Sequence, residues 1–141
     1  MRYWRSDYPY FILKEVDALR ENFPNVPPAH VYIVLYKNFQ DKEKPEVEIS
    51  QVFYTLDDAN DLAMTVFKQN FLLWFIQSHQ FENWVRGPEP PQVDPSYKHV
   101  VNWDLHPRDG TISLQAIGEV ATDVMGFLGS VEVQYRVIQG L

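Results

Sequence analysis

The sequence predicts an α+β fold: a single antiparallel sheet of about five strands, two hairpins plus a final strand, with a long helix and an N-terminal helix packed on one face. Three observations predict it. His30–Tyr36 (HVYIVLY) and Glu46–Tyr54 (EVEISQVFY) are extended apolar runs around a charged loop, a hairpin pattern. The second run leads directly into TLDDAN, which opens a long helical stripe. Later, Val101–Leu105 and Ile112–Ala116 alternate around HPRDG, and Val131–Val137 alternates cleanly to the end.

The elements follow in order. Residues 9–22 read as a helix: Ile12, Val16, Leu19 and the flanking Phe23 recur at helical spacing, while Lys14, Glu15, Arg20 and Glu21 fill the other faces. Pro9 suits the first helical turn, and Pro24 cannot continue a helix. Pro24, Pro27 and Pro28 stiffen the connector that follows. Val31–Tyr36 is apolar on both parities, which suits a central strand or one covered on both faces. In the second run, Val47 and Ile49 alternate with Glu48 and Ser50. The hairpin tip NFQDKEKP between the runs reads as solvated.

Thr55 is the expected N-cap of the long helix, with Asp58 three residues on. Asp57, Asp58 and Asp61 place negative charge where the helix dipole favours it. Ala59, Leu62, Ala63, Val66 and Phe67 continue the stripe, and Phe71–Ile76 (FLLWFI) then makes the helix apolar all round. A polar break at Gln77–Gln80 precedes a resumed face at Phe81, Trp84 and Val85, which Gly87 and Pro88 end. Residues 87–97 (GPEPPQVDPSY) form a proline-rich connecting loop within a single domain spanning 1–141. Residues 118–129 carry three glycines and no period, and read as a loop with or without a strand.

Composition narrows function. The chain of 141 residues has no cysteine, which excludes disulfides, thiolate metal sites and cysteine nucleophiles. The net charge is −7, and the stretch Asp41–Asp61, with seven acids and two lysines, supplies −5 of it. Such a surface repels nucleic acid and anionic membrane, and no basic stripe compensates. The N-terminal residues lack a signal-type apolar segment, and the six-residue run Phe71–Ile76 falls far short of the roughly 20 needed to cross a bilayer. A soluble, cytoplasmic protein is expected. Four Trp, eight Tyr and nine Phe make the core rich in rings.

Of the four histidines, His106 shares a strand face with Asp104 two residues earlier, whereas His99 has the opposite parity. A strand Asp-x-His can supply a base with its orienter, so Asp104 and His106 are the catalytic candidates. Tyr32, Tyr36 and Trp103 are the candidate walls of a ligand pocket. His30 and His79 read as a strand start and a polar break. Zinc-protease, phosphate-loop, nucleophile-elbow and EF-hand patterns do not occur. No metal site and no cofactor are expected.

The segments VYIVLY and EISQVFYTLDDANDLAMTVF, with WDLHPRDGTISL and SVEVQYRV, resemble uncharacterised small proteins of filamentous fungi. The shared pattern covers residues 31–67 and, more loosely, 101–137. It is architectural and implies no activity or site residue.

These readings make the chain a non-enzymatic, self-associating interaction module, a homodimer or other homo-oligomer with Phe71, Leu72, Trp74 and Phe75 at the interface. The alternative is a small-molecule-binding protein, or a small acid–base enzyme of cyclase, isomerase or dehydratase type, with an aromatic-lined pocket.

Overall fold

The computed structural model describes residues 7–22, 30–39, 46–72, 84–87, 99–121 and 124–138. Among these residues, two helices, α1 (Tyr10–Asn22) and α2 (Leu56–Asn70), accompany six strands. The strands are β1 (His30–Asn38), β2 (Glu46–Phe53), β3 (Trp84–Arg86), β4 (His99–Leu105), β5 (Ile112–Ala121) and β6 (Val124–Val137). They form one sheet in the order β2-β1-β6-β5-β4-β3. The fold is therefore α+β, but the sheet is mixed and has six strands rather than an antiparallel five. The extra member, β3, pairs in parallel with β4, Trp84 opposite Val101 and Arg86 opposite Trp103. Trp84 and Val85, expected on a helix face, lie in this edge strand. A three-residue strand shows no period long enough to separate it from helix.

Where the chain obeys local rules, it folds as read. Pro9 accepts the first backbone bonds of α1, from Ile12 and Leu13. Thr55 is extended, and its hydroxyl accepts from the Asp58 amide at 3.3 Å, capping α2 beside Asp57 and Asp58. Thr55→Ala is expected to cost about 1 kcal/mol of unfolding free energy by urea titration, while Thr55→Ser stays near wild type. The β4–β5 turn closes with the Gly110 amide on the His106 carbonyl, and Gly110 takes φ +74°, a conformation that favours glycine.

Strand alternation decides which side chains meet the helices. In β1, His30, Tyr32, Val34 and Tyr36 are buried, while Val31, Ile33 and Leu35 are half-buried on the other face. Val101, Trp103 and Leu105 of β4, Ile112, Leu114 and Ala116 of β5, and Val131 and Val133 of β6 join the first set. Onto this face α2 lowers Ala59, Ala63, Met64 and Phe67, and α1 lowers Ile12 and Val16. A fully buried ring such as Phe67 contributes roughly 1.5–3 kcal/mol relative to an exposed one. Helix α1 lies toward the β3–β4 edge, since Phe11 tilts on Trp103 with ring centroids 5.9 Å apart.

Tyr8, just before α1, is buried and donates its hydroxyl to the Met64 carbonyl at 2.7 Å. Burial, helped by the Asp7 charge, raises its pKa well above the ordinary tyrosine value. A raised folded pKa means that the stability it contributes is fully present below about pH 10 and is lost as pH climbs through the folded value. Tyr8→Phe is therefore expected to flatten the alkaline limb of the stability curve and to cost about 1–2 kcal/mol near neutrality. Burial also raises Tyr32, so some alkaline slope remains in the variant.

The stretch read as an uncertain loop is a β-ladder. β5 runs to Ala121 and β6 starts at Val124, with Gly118 opposite Gly126. Bulges at Ala116/Ile117 and Glu119/Ala121 shift the register and erase the period-two signal. Phe71 and Leu72, expected at an interface, are core instead: Phe71 caps α2 and is 1% exposed, and Leu72 is 2% exposed. Trp74, Phe75, His79, the hairpin tip at 40–45, the connector at 23–29 and most of the proline-rich segment (88–97) lie outside the described residues. No helix among the described residues is long and apolar enough to cross a membrane.

Candidate functional site: a polar cleft on the sheet

The sheet face turned away from the helices changes character across its width. On β4, β5 and β6 the register aligns two polar rows. Asp104 lies opposite Ser113, and Ser113 opposite Glu132. Beside them, Asn102 lies opposite Gln115, and Gln115 opposite Ser130. Directly paired strand residues share a face, so these six side chains form a grid of donors and acceptors. Across β6 the same face turns apolar, with Leu35 opposite Glu132 and Ile33 opposite both Gln134 and Val52.

Five of the six line a cleft of about 340 Å³: Asn102, Asp104, Ser113, Gln115 and Glu132. Gly87, His106, Pro107 and Thr111 also border it. Gly87 follows β3 at φ +144°, and its amide donates to the Trp103 carbonyl at 3.1 Å. That bond ties the chain to the cleft rim in a backbone shape that a side chain strains.

Four of these five polar groups are partly committed. The Asn102 amide donates to Gln115 Oε1 at 3.2 Å, and the Gln134 amide donates to Glu132 Oε1 at 3.1 Å. Asp104 Oδ1 accepts from the Leu105 amide at 2.9 Å and lies 3.4 Å from Arg86 Nε. Arg86 also reaches Glu15 on α1 through Nη1 at 2.5 Å, and its guanidinium sits 4.7 Å above the Trp103 ring. The hydrogen bond with Glu15 raises its pKa, burial opposes the rise, and the charge of Glu15 with the hydrogen bond and charge of Asp104 add to it. The Arg86 side chain is 46% exposed, so these pairs add little stability. Their effect is positional, joining α1 to the rim.

Asp104 and His106 both border the cleft, as their shared parity requires, but they are not joined to each other. His106 Nδ1 accepts from the Arg108 amide at 3.2 Å. The ring is 51% exposed and lies 3.4 Å from Asp109, whose Oδ1 already accepts from the Thr111 amide and hydroxyl. Asp104 serves Arg86 and the Leu105 amide. An acid–base couple needs the imidazole oriented by the carboxylate, and here each has a separate partner.

The expected aromatic walls lie elsewhere. Tyr32 and Tyr36 face the helices and are buried in the core. Tyr36 donates to Asn70 Oδ1 at 3.1 Å and accepts from Asn38 at 2.8 Å. Tyr32 packs with His30 and Tyr135. Trp103 alone of the three has atoms at the cleft, but its ring lies on the helix side of the sheet against Phe11 and Arg86, and its Nε1 is buried there with no hydrogen-bond partner among the described residues. No group of three His, Asp or Glu among the described residues could hold a metal ion. Asn102, Ser113, Gln115 and Glu132 read from sequence as the plain polar half of alternating strands. The matching polar parity of three strands was the signal that they share a surface. The chain matches no protein-family model, no curated protein and no solved structure.

Proposed function

We propose that this protein binds a small polar molecule in the cleft formed by Asn102, Asp104, Ser113, Gln115 and Glu132. One observation carries the reading: two hydrogen-bonding rows, set by strand register, line a concavity of about 340 Å³. Ligand sites are concave, run roughly 300–1,000 Å³, and fix orientation with a few placed polar groups. Strands hold such groups more precisely than loops do. Binding suits the geometry better than acid–base chemistry, because Asp104 and His106 are committed to separate partners. Ser113→Phe fills the cleft from its middle strand. Hydrogen-bonding fragments detected by saturation-transfer NMR on the wild type are expected to lose their signal on this variant. Equal signals on a folded Ser113→Phe protein would contradict the reading.

A second reading, self-association, is favoured by the apolar part of the same face. Val31, Ile33 and Leu35 are half-buried there, and on β2 Val52, opposite Ile33, and Val47, opposite Lys37, are 49% and 60% exposed. A two-fold contact between copies would cover this ridge with itself. Leu35→Glu is then expected to convert a dimer to a folded monomer in light scattering coupled to size exclusion. A wild-type monomer at high concentration removes this reading.

A further inference from the structure

We infer that the ligand of the cleft is a small organic cation, an ammonium or guanidinium compound. The inference rests on the binding reading above and adds the chemical class. Two carboxylates, Asp104 and Glu132, border the cleft from strands on either side of β5. With neighbouring strands about 4.8 Å apart, their backbones stand about 10 Å apart. Arg86, the guanidinium beside Asp104, is divided between Asp104 and Glu15. Glu132 makes no ion pair among the described residues; its Oε1 accepts only the neutral amide of Gln134. Lys37 shares the face but stands opposite Ser130, and Arg136 turns to Gln134 and the Tyr135 carbonyl.

Glu132 borders the cleft with no countercharge among the described residues, and a cation would supply one. A ligand ammonium or guanidinium on Glu132 makes the charge-assisted bond that the protein leaves open. Ser113 and Gln115, in the adjacent strand, offer hydrogen bonds to the rest of the molecule. An anionic ligand would face both carboxylates, and the chain's net charge of −7 opposes its approach while favouring a cation.

The test is an amide chemical-shift titration of the full chain with agmatine, 1,5-pentanediol and glutarate. Agmatine is expected to shift the amides of Ser113, Gln115 and Glu132 saturably, and more weakly as salt rises. Glu132→Gln keeps the shape and removes the charge, and is expected to weaken agmatine binding roughly tenfold or more. Diol or glutarate shifting the same amides without agmatine would overturn the cation class and leave the site reading standing. Agmatine shifts spread over the acidic surface, or unchanged in Glu132→Gln, would also overturn the class. Silence of the cleft amides toward all three probes would overturn both.

Discussion

Asn60→Ala is expected to lower the unfolding free energy by about 2–4 kcal/mol, and the melting temperature by about 10 °C. Asn60 lies in the second turn of α2 and is 2% exposed. Its amide donates to the Gly110 carbonyl and its Oδ1 accepts from the Ile112 amide, both at 3.1 Å. One side chain thus clamps the β4–β5 turn to the helix from both sides of Thr111. Alanine leaves two buried backbone groups unpaired, each costing about 1–3 kcal/mol. Asn60→Asp separates hydrogen bonding from packing. The carboxylate can still accept from Ile112 but sets an oxygen against the Gly110 carbonyl. Protonated, it can donate there instead. The buried acid is held neutral, so its folded pKa is raised, and its stability is present at low pH and lost as pH rises through that value. Urea titrations at pH 4 and pH 8 should show Asn60→Asp close to wild type only at the lower pH. Because Thr111 and His106 border the cleft, the Asn60 variants should weaken fragment binding too.

Phe71→Ala is expected to cost about 3–5 kcal/mol, with no change of molecular mass while the protein stays folded. The ring stands 5.1 Å from Phe67 and 6.3 Å from Tyr36, centroid to centroid. It also reaches the backbone of β6 where Gly129 lacks a side chain. A Cβ there would meet Phe71 Cζ at 2.5 Å and the Lys37 carbonyl oxygen. Gly129→Ala is accordingly expected to cost about 1–3 kcal/mol by overpacking. The pair should couple: Phe71→Leu, by shortening the side chain, should recover part of the Gly129→Ala loss, with Lys37 keeping the rest. A Phe71→Ala protein of wild-type stability that changed only its oligomeric state would return this residue to an interface.

Local chemistry wrote much of the fold legibly. Thr55 with Asp58, the alternation of β4 and β6, and the HPRDG turn each carry their signal within a few residues. β1 was legible too: its apolar residues of both parities fit an inner strand flanked by β2 and β6. What escaped depends on distant partners. Trp84–Arg86 becomes a strand only because β4 offers an edge. Gly118, Gly126 and Gly129 lower strand propensity, yet they lie where neighbouring side chains or backbone approach too closely for a Cβ. The all-round apolar character of FLLWFI signalled burial but not by what; for Phe71 and Leu72 the answer is this chain's own core. Of the residues that border the cleft with their side chains, Asp104 and His106 were singled out. Ser113, Gln115 and Glu132 were not, because polar residues on alternating strands ordinarily face solvent. Only register, a nonlocal property, gathers them into one surface.

The most direct test of the account is a residue-resolved amide shift map of the full chain against a set of small hydrogen-bonding fragments. The account predicts saturable shifts at Asn102, Asp104, Ser113, Gln115 and Glu132, abolished by Ser113→Phe. A cleft that stays silent, with concentration-dependent shifts along Val31, Ile33 and Leu35 instead, would contradict it and leave the sheet face as a contact between copies.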